Sequence, residues 1–326
     1  MTQRNARPMS VLLATDESPQ AKLAEQVVAH VRWPAGTKIV ALRVDELMRS
    51  DEELPWQAYV ALHADIRKQI GAHLARLDRQ LSVPGREVET ALVPGRPATV
   101  IVDEARARGV DLIVLGSRGH GQFASAVLGS VAAEVVDHAP CPVLVARRPA
   151  VRGIVVADDG SDGSVEAEEV LGSWPFVRAL PTTVVSVAER VVPFDSGMAI
   201  VDPVTYQTMA DEVIELHRGY ARDGAARLAA HGCPAKAQLR EGDPVAELIA
   251  AAADAKADVI AVGSRGQTGL QRLLLGSVAR NVLFRSPTSV LIVRQKVQLE
   301  KRSPRPSTGK RKIARRARKV RRAVRS

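Results

Sequence analysis

Short apolar runs alternate with stretches of helical periodicity along most of this chain, and the whole alternation occurs twice. The first set of runs is Met9–Thr15, Lys38–Val44, Arg86–Val93, Leu112–Gly116 and Val143–Ala146. The second is Gly153–Ala157, Thr182–Val187, Ala235–Arg240, Val259–Gly263 and Val290–Val293. Each is short, rich in Val, Ile and Leu, and bounded by turn residues, so each reads as a strand. Apolar residues without alternation predict strands covered on both faces, as in parallel sheets. Leu54 to Leu81 reads as a helix, and so does the stretch after Pro203, where Val213, Leu216 and Tyr220 share one face. Asp202-Pro203 and Asp243-Pro244 each supply an N-cap followed by proline at the first helical position. The fold class predicted is α/β: two tandem, doubly wound, five-stranded, mainly parallel sheets. The units run over 1–150 and 151–296, with Arg147–Arg152 as a hinge.

The last thirty residues break the pattern. Ser303 to Gly309 is a Pro/Ser/Gly linker. Beyond it, Ile313, Ala317, Val320 and Val324 form one helical stripe among arginines and lysines. From Lys296 onward there are fourteen Lys and Arg and one Glu, out of 46 basic and 36 acidic residues in the chain. The remainder is therefore slightly acidic, and the net charge of +10 belongs to the tail. A disordered basic tail, 297–326, is expected, with DNA, RNA or another polyanion as a candidate partner. Its alanine-rich stripe without Trp or Phe is poor for membranes. No apolar stretch is long enough to span a bilayer. Two cysteines, Cys141 and Cys233, supply neither a disulfide framework nor a four-ligand zinc site, which fits a reducing cytoplasm. Aromatics make up 3% of the chain, too few for base-stacking platforms.

The chemistry sits in a phrase that the chain says twice. Gly116-Ser117-Arg118-Gly119, nine residues and Gly129-Ser130 recur 147 residues later as Gly263-Ser264-Arg265-Gly266, nine residues and Gly276-Ser277. Each phrase follows the fourth strand of its unit. Glycine-rich turns between a buried strand and a helix let backbone N–H groups approach phosphate, at the positive end of the helix dipole. After the first strand of each unit come Thr15-Asp16-Glu17-Ser18 and Asp158-Asp159-Gly160-Ser161. If strands one and four are neighbours, acid and glycine loop face each other across one crevice, where open α/β sheets bind ligands. Neither a P-loop nor a dinucleotide-binding G-x-G-x-x-G is present.

The repeated G-x2-G-x9-G-S pattern, over roughly residues 8–294, resembles the universal stress protein family in a tandem arrangement. That resemblance implies a Rossmann-like, adenine nucleotide alpha hydrolase-like fold with strand order 3-2-1-4-5 in each unit. It implies that the units pack as an internal pseudo-dimer, and it leaves homodimerisation open. It also implies a ligand, ATP or another adenine nucleotide, with or without Mg²⁺. Asp16 and Asp159 would meet the adenosine end, and main-chain groups of Val44 and Val187 the adenine. Gly116, Gly119, Gly129 and Ser130 would line the phosphates in the first unit, and Gly263, Gly266, Gly276 and Ser277 in the second. The expected role is a non-catalytic stress-response regulator. A slow ATP hydrolase or self-phosphorylating protein, and a nucleic-acid-associated protein acting through its tail, are the alternatives.

Simpler roles stand beside these. The glycines also serve to end strands or let helices pack closely, Asp16 and Asp159 to cap helices, and His120, Arg118 and Arg265 to fill solvated loops. The first unit has Glu17 where the second has Gly160. A charged side chain near a phosphate site, at a position suited to positive φ, makes the second crevice the better binder.

Overall fold

The computed structural model describes residues 8–46, 56–119, 128–189, 203–264 and 275–294. Gly266, His120, Arg265, Asp202 and the tail stripe of Ile313, Ala317, Val320 and Val324 lie outside the described residues.

In the first half, β1 (Ser10–Ala14), α1 (Pro19–His30), β2 (Thr37–Asp45), α2 (Trp56–Leu81) and β3 (Arg86–Pro94) lead to α3 (Pro97–Arg108), β4 (Leu112–Gly116), α4 (Ser130–His138) and β5 (Val143–Ala146). The second half repeats the order: β6 (Ile154–Ala157), α5 (Asp162–Ser173), β7 (Thr182–Ala188), α6 (Pro203–Ala230), β8 (Ala235–Glu241), α7 (Pro244–Asp254), β9 (Val259–Gly263), α8 (Ser277–Arg285) and β10 (Ser289–Val293). All ten strands fall where the apolar runs predict them.

The strand order is β3-β2-β1-β4-β5-β10-β9-β6-β7-β8, so each half has the order 3-2-1-4-5 and the halves join edge to edge into one ten-stranded sheet. The strands are parallel except at that join. There Leu144 pairs with Leu291, its own counterpart in the repeat, between Val145↔Val290 and Val143↔Ile292. A pseudo-two-fold axis therefore passes between the two leucines. Central strands β4, β5 and β10 are buried along their whole length. The edge strands β3 and β8 are not, because each has only one strand neighbour. One apolar layer gathers α3, α4, α7 and α8 on one face of the sheet, and the other gathers α1, α2, α5 and α6 on the opposite face. Both layers run across the join.

Arg147–Arg152 is not a hinge. The backbone N–H groups of Arg147 and Arg148 both donate to Ser289 Oγ at 3.0 Å. Arg152 makes a two-pronged contact with Asp258, at 2.9 and 3.0 Å, which holds that carboxyl below the usual range. Two arginines also cross the join. Arg147, after β5, donates to Leu283 O in the last turn of α8 at 2.6 Å. Arg294, after β10, donates to Val136 O at 2.6 Å and Ala139 O at 3.1 Å at the end of α4. Each half thus caps carbonyls at the C-terminus of a helix in the other. Aromatic residues reinforce the join: Trp33 meets Phe176 edge-on at 5.1 Å, and Phe176 stacks with Trp174 at 5.6 Å.

The predicted stripe on α6 needs correction. Leu216 is 51% exposed, while Ala221, Ala225 and Leu228 supply the buried face. The small alanines let α6 lie close to the sheet, and that contact outweighs the bulkier stripe one turn earlier. Asp243 caps α7 as predicted, accepting from Ala246 N at 2.8 Å. Both cysteines are buried thiols.

Gly116 and Gly263 end β4 and β9 where a helix from the neighbouring strand crosses. A Cβ at Gly116 would stand 2.6 Å from the carbonyl carbon of Gln20, and one at Gly263 would stand 2.5 Å from Gly163 O. Backbone cannot yield there as a side-chain tip can. Gly116→Ala and Gly263→Ala should each lower the unfolding free energy by about 2–3 kcal/mol, in the range of overpacked cores. Gly219→Ala on α6, where nothing lies within 4 Å, should not destabilise. Urea titration of the three variants checks this; indistinguishable curves would show that the crossings have slack.

Candidate functional site

Strand lengths build the crevices. β1 ends at Ala14, paired with Leu42, but β2 runs on to Asp45. β6 ends at Ala157, paired with Val185, and β7 runs on to Ala188. Thr15 N and Asp158 N make the last bonds, to Leu42 O and Val185 O, before the chain turns away. The inner edges of Val44 and Val187 therefore lie beyond the end of the neighbouring strand, where backbone groups can meet a ligand as a strand would.

The chain leaves β1 and β6 through matching turns. Asp16 Oδ1 accepts from Ser18 N at 3.0 Å, and Asp159 Oδ1 from Ser161 N at 3.1 Å. The helix caps are the serines: Ser18 Oγ accepts from Ala21 N at 3.1 Å and Ser161 Oγ from Ser164 N at 3.3 Å. The aspartates thus shape the turn rather than cap the helix. Both turns need a residue at positive φ, which is +72° at Gly160 and +65° at Glu17. A non-glycine residue there costs roughly 1–2 kcal/mol. The Glu17 carboxylate turns back onto α2, with Oε1 3.8 Å from His73 Nδ1.

The glycine loops stand opposite, because β4 and β9 lie beside β1 and β6. In the first half the two sides touch. Ser18 Oγ donates to Arg118 O at 3.2 Å, and a side chain on Gly119 would collide with Asp16 Oδ2. Gly129 N and Gly276 N donate back to Ser117 O and Ser264 O, at 2.8 and 3.0 Å, which closes each loop. Among the described residues, the first turns of α4 and α8 offer N–H groups to an anion. Neither helix has a side-chain cap, and Ser130 and Ser277 open them. Gly276, the N-cap residue of α8, has φ −59°, which any residue adopts.

The structure thus brings together Asp16, Val44, Gly116, Gly119, Gly129 and Ser130 at one sheet end, and Asp159, Val187, Gly263, Gly276 and Ser277 at its equivalent. A cavity of about 520 Å³ in the first half lies between the starts of α3 and α4, lined by Glu46, Gly95, Arg96 and Ser130 among others.

Sequence inspection missed a buried polar group beneath each turn. In the first half Thr15 Oγ1 donates to Glu25 Oε1 at 2.6 Å, and His73 Nε2 lies 3.0 Å from the same oxygen. Burial raises the Glu25 pKa, but these hydrogen bonds outweigh it and hold the carboxyl below its usual range. In the second half Asp158 and Glu168, both with fully covered side chains, share Arg227, at 3.2 and 2.5 Å. Asp158 Oδ1 also accepts from Gly160 N at 2.8 Å and Ser164 Oγ at 2.7 Å. Burial pushes Glu168 up to about 8; Arg227 opposes this and Asp158 adds to it. Glu25 and Glu168 stand at corresponding positions of α1 and α5, 143 residues apart, the same spacing as Asp16 and Asp159 in the turns, and that spacing was the available signal.

The profile of the Universal stress protein family matches residues 9–147 and again 151–294. The chain belongs to the universal stress protein family. A universal stress protein of Mycobacterium tuberculosis strain H37Rv is 26% identical over 316 residues, covering 88% of this chain and 97% of that one. The single-unit universal stress protein YxiE of Bacillus subtilis is 30% identical over 144 residues, covering 42% of this chain and 97% of its own. The crystal structure of a universal stress protein from Archaeoglobus fulgidus shares the fold, with TM-score 0.60 and 20% identity over 90% of this chain and 99% of that one. Among the described residues of this family member, no helix is long and apolar enough to cross a membrane.

Glu168 gives stability a defined pH dependence. Its folded-state pKa lies above the ordinary 4.5, so between about 4.5 and about 8 the folded chain holds a proton that the unfolded chain has lost. Stability from this group is fully present below the unfolded pKa and lost as pH rises towards about 8, at up to about 1.4 kcal/mol per pH unit. Glu168→Gln keeps the shape without the titration and should flatten the urea-unfolding profile over that window. An unchanged profile would remove Glu168 as its source.

Proposed function

We propose that both crevices bind an adenine nucleotide, ATP or a close relative, and that the protein works as a stress-response regulator. The supporting observation is a threefold arrangement present twice: an overhanging strand edge at Val44 or Val187, a turn aspartate, and an uncapped helix N-terminus at Ser130 or Ser277. An edge that offers backbone hydrogen bonds suits a purine, and a helix start suits phosphate. On this reading 1–150 and 151–296 each carry one crevice, 297–326 is an extension, and the protein works in the cytoplasm. The second crevice is the stronger, because its turn is unstrained at Gly160 and its aspartate has no acidic neighbour at Glu17's position.

Phosphoryl transfer needs positioned metal ions and cationic groups, and the chain has no P-loop lysine to contribute. Binding without turnover is therefore the expected behaviour. Gly276→Val should abolish most ATP binding at the second crevice by placing two methyls before the first turn of α8. Isothermal titration of a variant with unchanged circular dichroism checks this; parental affinity would remove the phosphate assignment. An ATPase rate of about 1 s⁻¹ or more, lost on mutating the site, would make the protein an enzyme.

The concentrated charge of the tail favours a second, separate role in polyanion binding. Truncation after Lys296 retains Arg294 and its contacts with α4. It should leave thermal unfolding and nucleotide affinity nearly unchanged and remove duplex DNA binding. In the full chain log K should fall against log salt by about 0.9 per phosphate neutralised. Equal DNA affinity of both forms at one salt concentration would show that the tail is not the site.

A further inference from the structure

The two crevices differ beneath the overhanging strand edge. Ser186, one residue before Val187, points into the α6 side of the sheet, and its Oγ lies 2.9 Å from His217 Nδ1. The Ser186 side chain is fully covered, and the imidazole is its one side-chain partner among the described residues. A buried hydroxyl with a single partner uses its proton there. Ser186 therefore donates to Nδ1, and the imidazole proton is left on Nε2. Tyr220, one turn further along α6, meets the His217 ring edge-on at 5.4 Å and packs over Gly160.

The charges facing His217 are Asp158 and Asp159 in the turn after β6 and Glu189 just beyond β7. Burial lowers its pKa and these acids oppose the shift, with a net pKa below the ordinary imidazole value. The ring is thus neutral near pH 7 and offers a single N–H donor beside the acceptor Asp159. In the first half the same strand position, paired through its own β2 register, is Arg43, and the α2 position 147 residues before His217 is Ile70.

We propose that His217 Nε2–H and the Asp159 carboxylate form a donor–acceptor pair that recognises the vicinal diol of a ribonucleotide in the second crevice. This rests on the nucleotide reading above. The carboxylate can accept from the 3′-hydroxyl while the imidazole N–H donates to the 2′-hydroxyl, so the pair engages both hydroxyls of a diol and loses one contact with a lone 3′-hydroxyl. Ile70 has no polar atom to offer, so the imidazole–carboxylate pair is particular to the second crevice.

The test uses the full-length protein labelled with ¹⁵N-histidine. The His217 signals report occupancy of the second crevice alone during titration with ATP, 2′-deoxy-ATP or inorganic triphosphate. ATP should bind there roughly tenfold more tightly than 2′-deoxy-ATP, the worth of one good hydrogen bond. In calorimetry His217→Leu should bring ATP down to the 2′-deoxy level and leave 2′-deoxy-ATP unchanged. His217→Gln, which keeps a donor, should recover part of the preference. Equal affinity of the parent for ATP and 2′-deoxy-ATP would overturn the proposal while leaving the nucleotide reading intact. So would equal losses for both nucleotides in His217→Leu. Silence of the parent towards both nucleotides, by heat and by NMR, would overturn the crevice reading itself and this proposal with it.

Discussion

The antiparallel pairing of β5 with β10 is the constraint on which the rest of the molecule depends. Each half alone would end in a bare edge of a strand that is now wholly buried, Val143–Ala146 or Ser289–Val293. Such an edge exposes unpaired backbone groups and invites association. Joining the two edges satisfies both and puts Leu144 against Leu291 on the pseudo-two-fold axis. The join also makes the two apolar layers continuous across both halves. Residues 1–296 accordingly form one compact unit.

The strands were legible because a buried parallel strand has little choice of composition. Val, Ile and Leu without alternation mark β1, β4, β6 and β9 within a residue of their ends. The join was less legible. The repeat shows that two like units exist, but edge-to-edge pairing depends on groups far apart in sequence, such as Arg294 reaching Val136 O. The supposed hinge failed for the same reason. Arg147–Arg152 has the length and charge of a linker, yet its backbone is tied to Ser289 and its last arginine to Asp258. The Leu216 error has another cause: helical periodicity identifies an apolar face but not where along a 28-residue helix the sheet ends.

Much of the site could be read, because glycines and aspartates at strand ends leave a pattern in the sequence. What could not be read was the division of labour within it. Sequence could not tell that the serines cap the helices and the aspartates brace the turn. Nor could it tell that the N–H groups of Gly129 and Gly276 are already used in closing their loops. Glu17 was visible as a departure, but its consequence was not. Its main cost lies in a left-handed backbone conformation, since the carboxylate is drawn back to His73.

The buried groups explain why duplication did not leave two equal crevices. Under the first turn, one carboxylate, Glu25, is matched by Thr15 and His73. Under the second, Asp158 replaces the threonine and adds a second carboxylate; burial, only partly offset by Arg227, together with Asp158 raises the Glu168 pKa. Each arrangement dictates the residue packed above the turn. Glu17 Oε1 stands 3.8 Å from His73 Nδ1, whereas Tyr220 lies where any side chain at Gly160 would stand. The same turn can thus carry a charged side chain in one half and only glycine in the other. The shared sheet holds both versions in register. The helices that open onto the crevices, α4 and α8, are each held at the far end by an arginine from the opposite half. The crevices diverge at the turns, along α2 and α6, and at Arg43 against Ser186 in β2 and β7, while α4 and α8 both open without a side-chain cap.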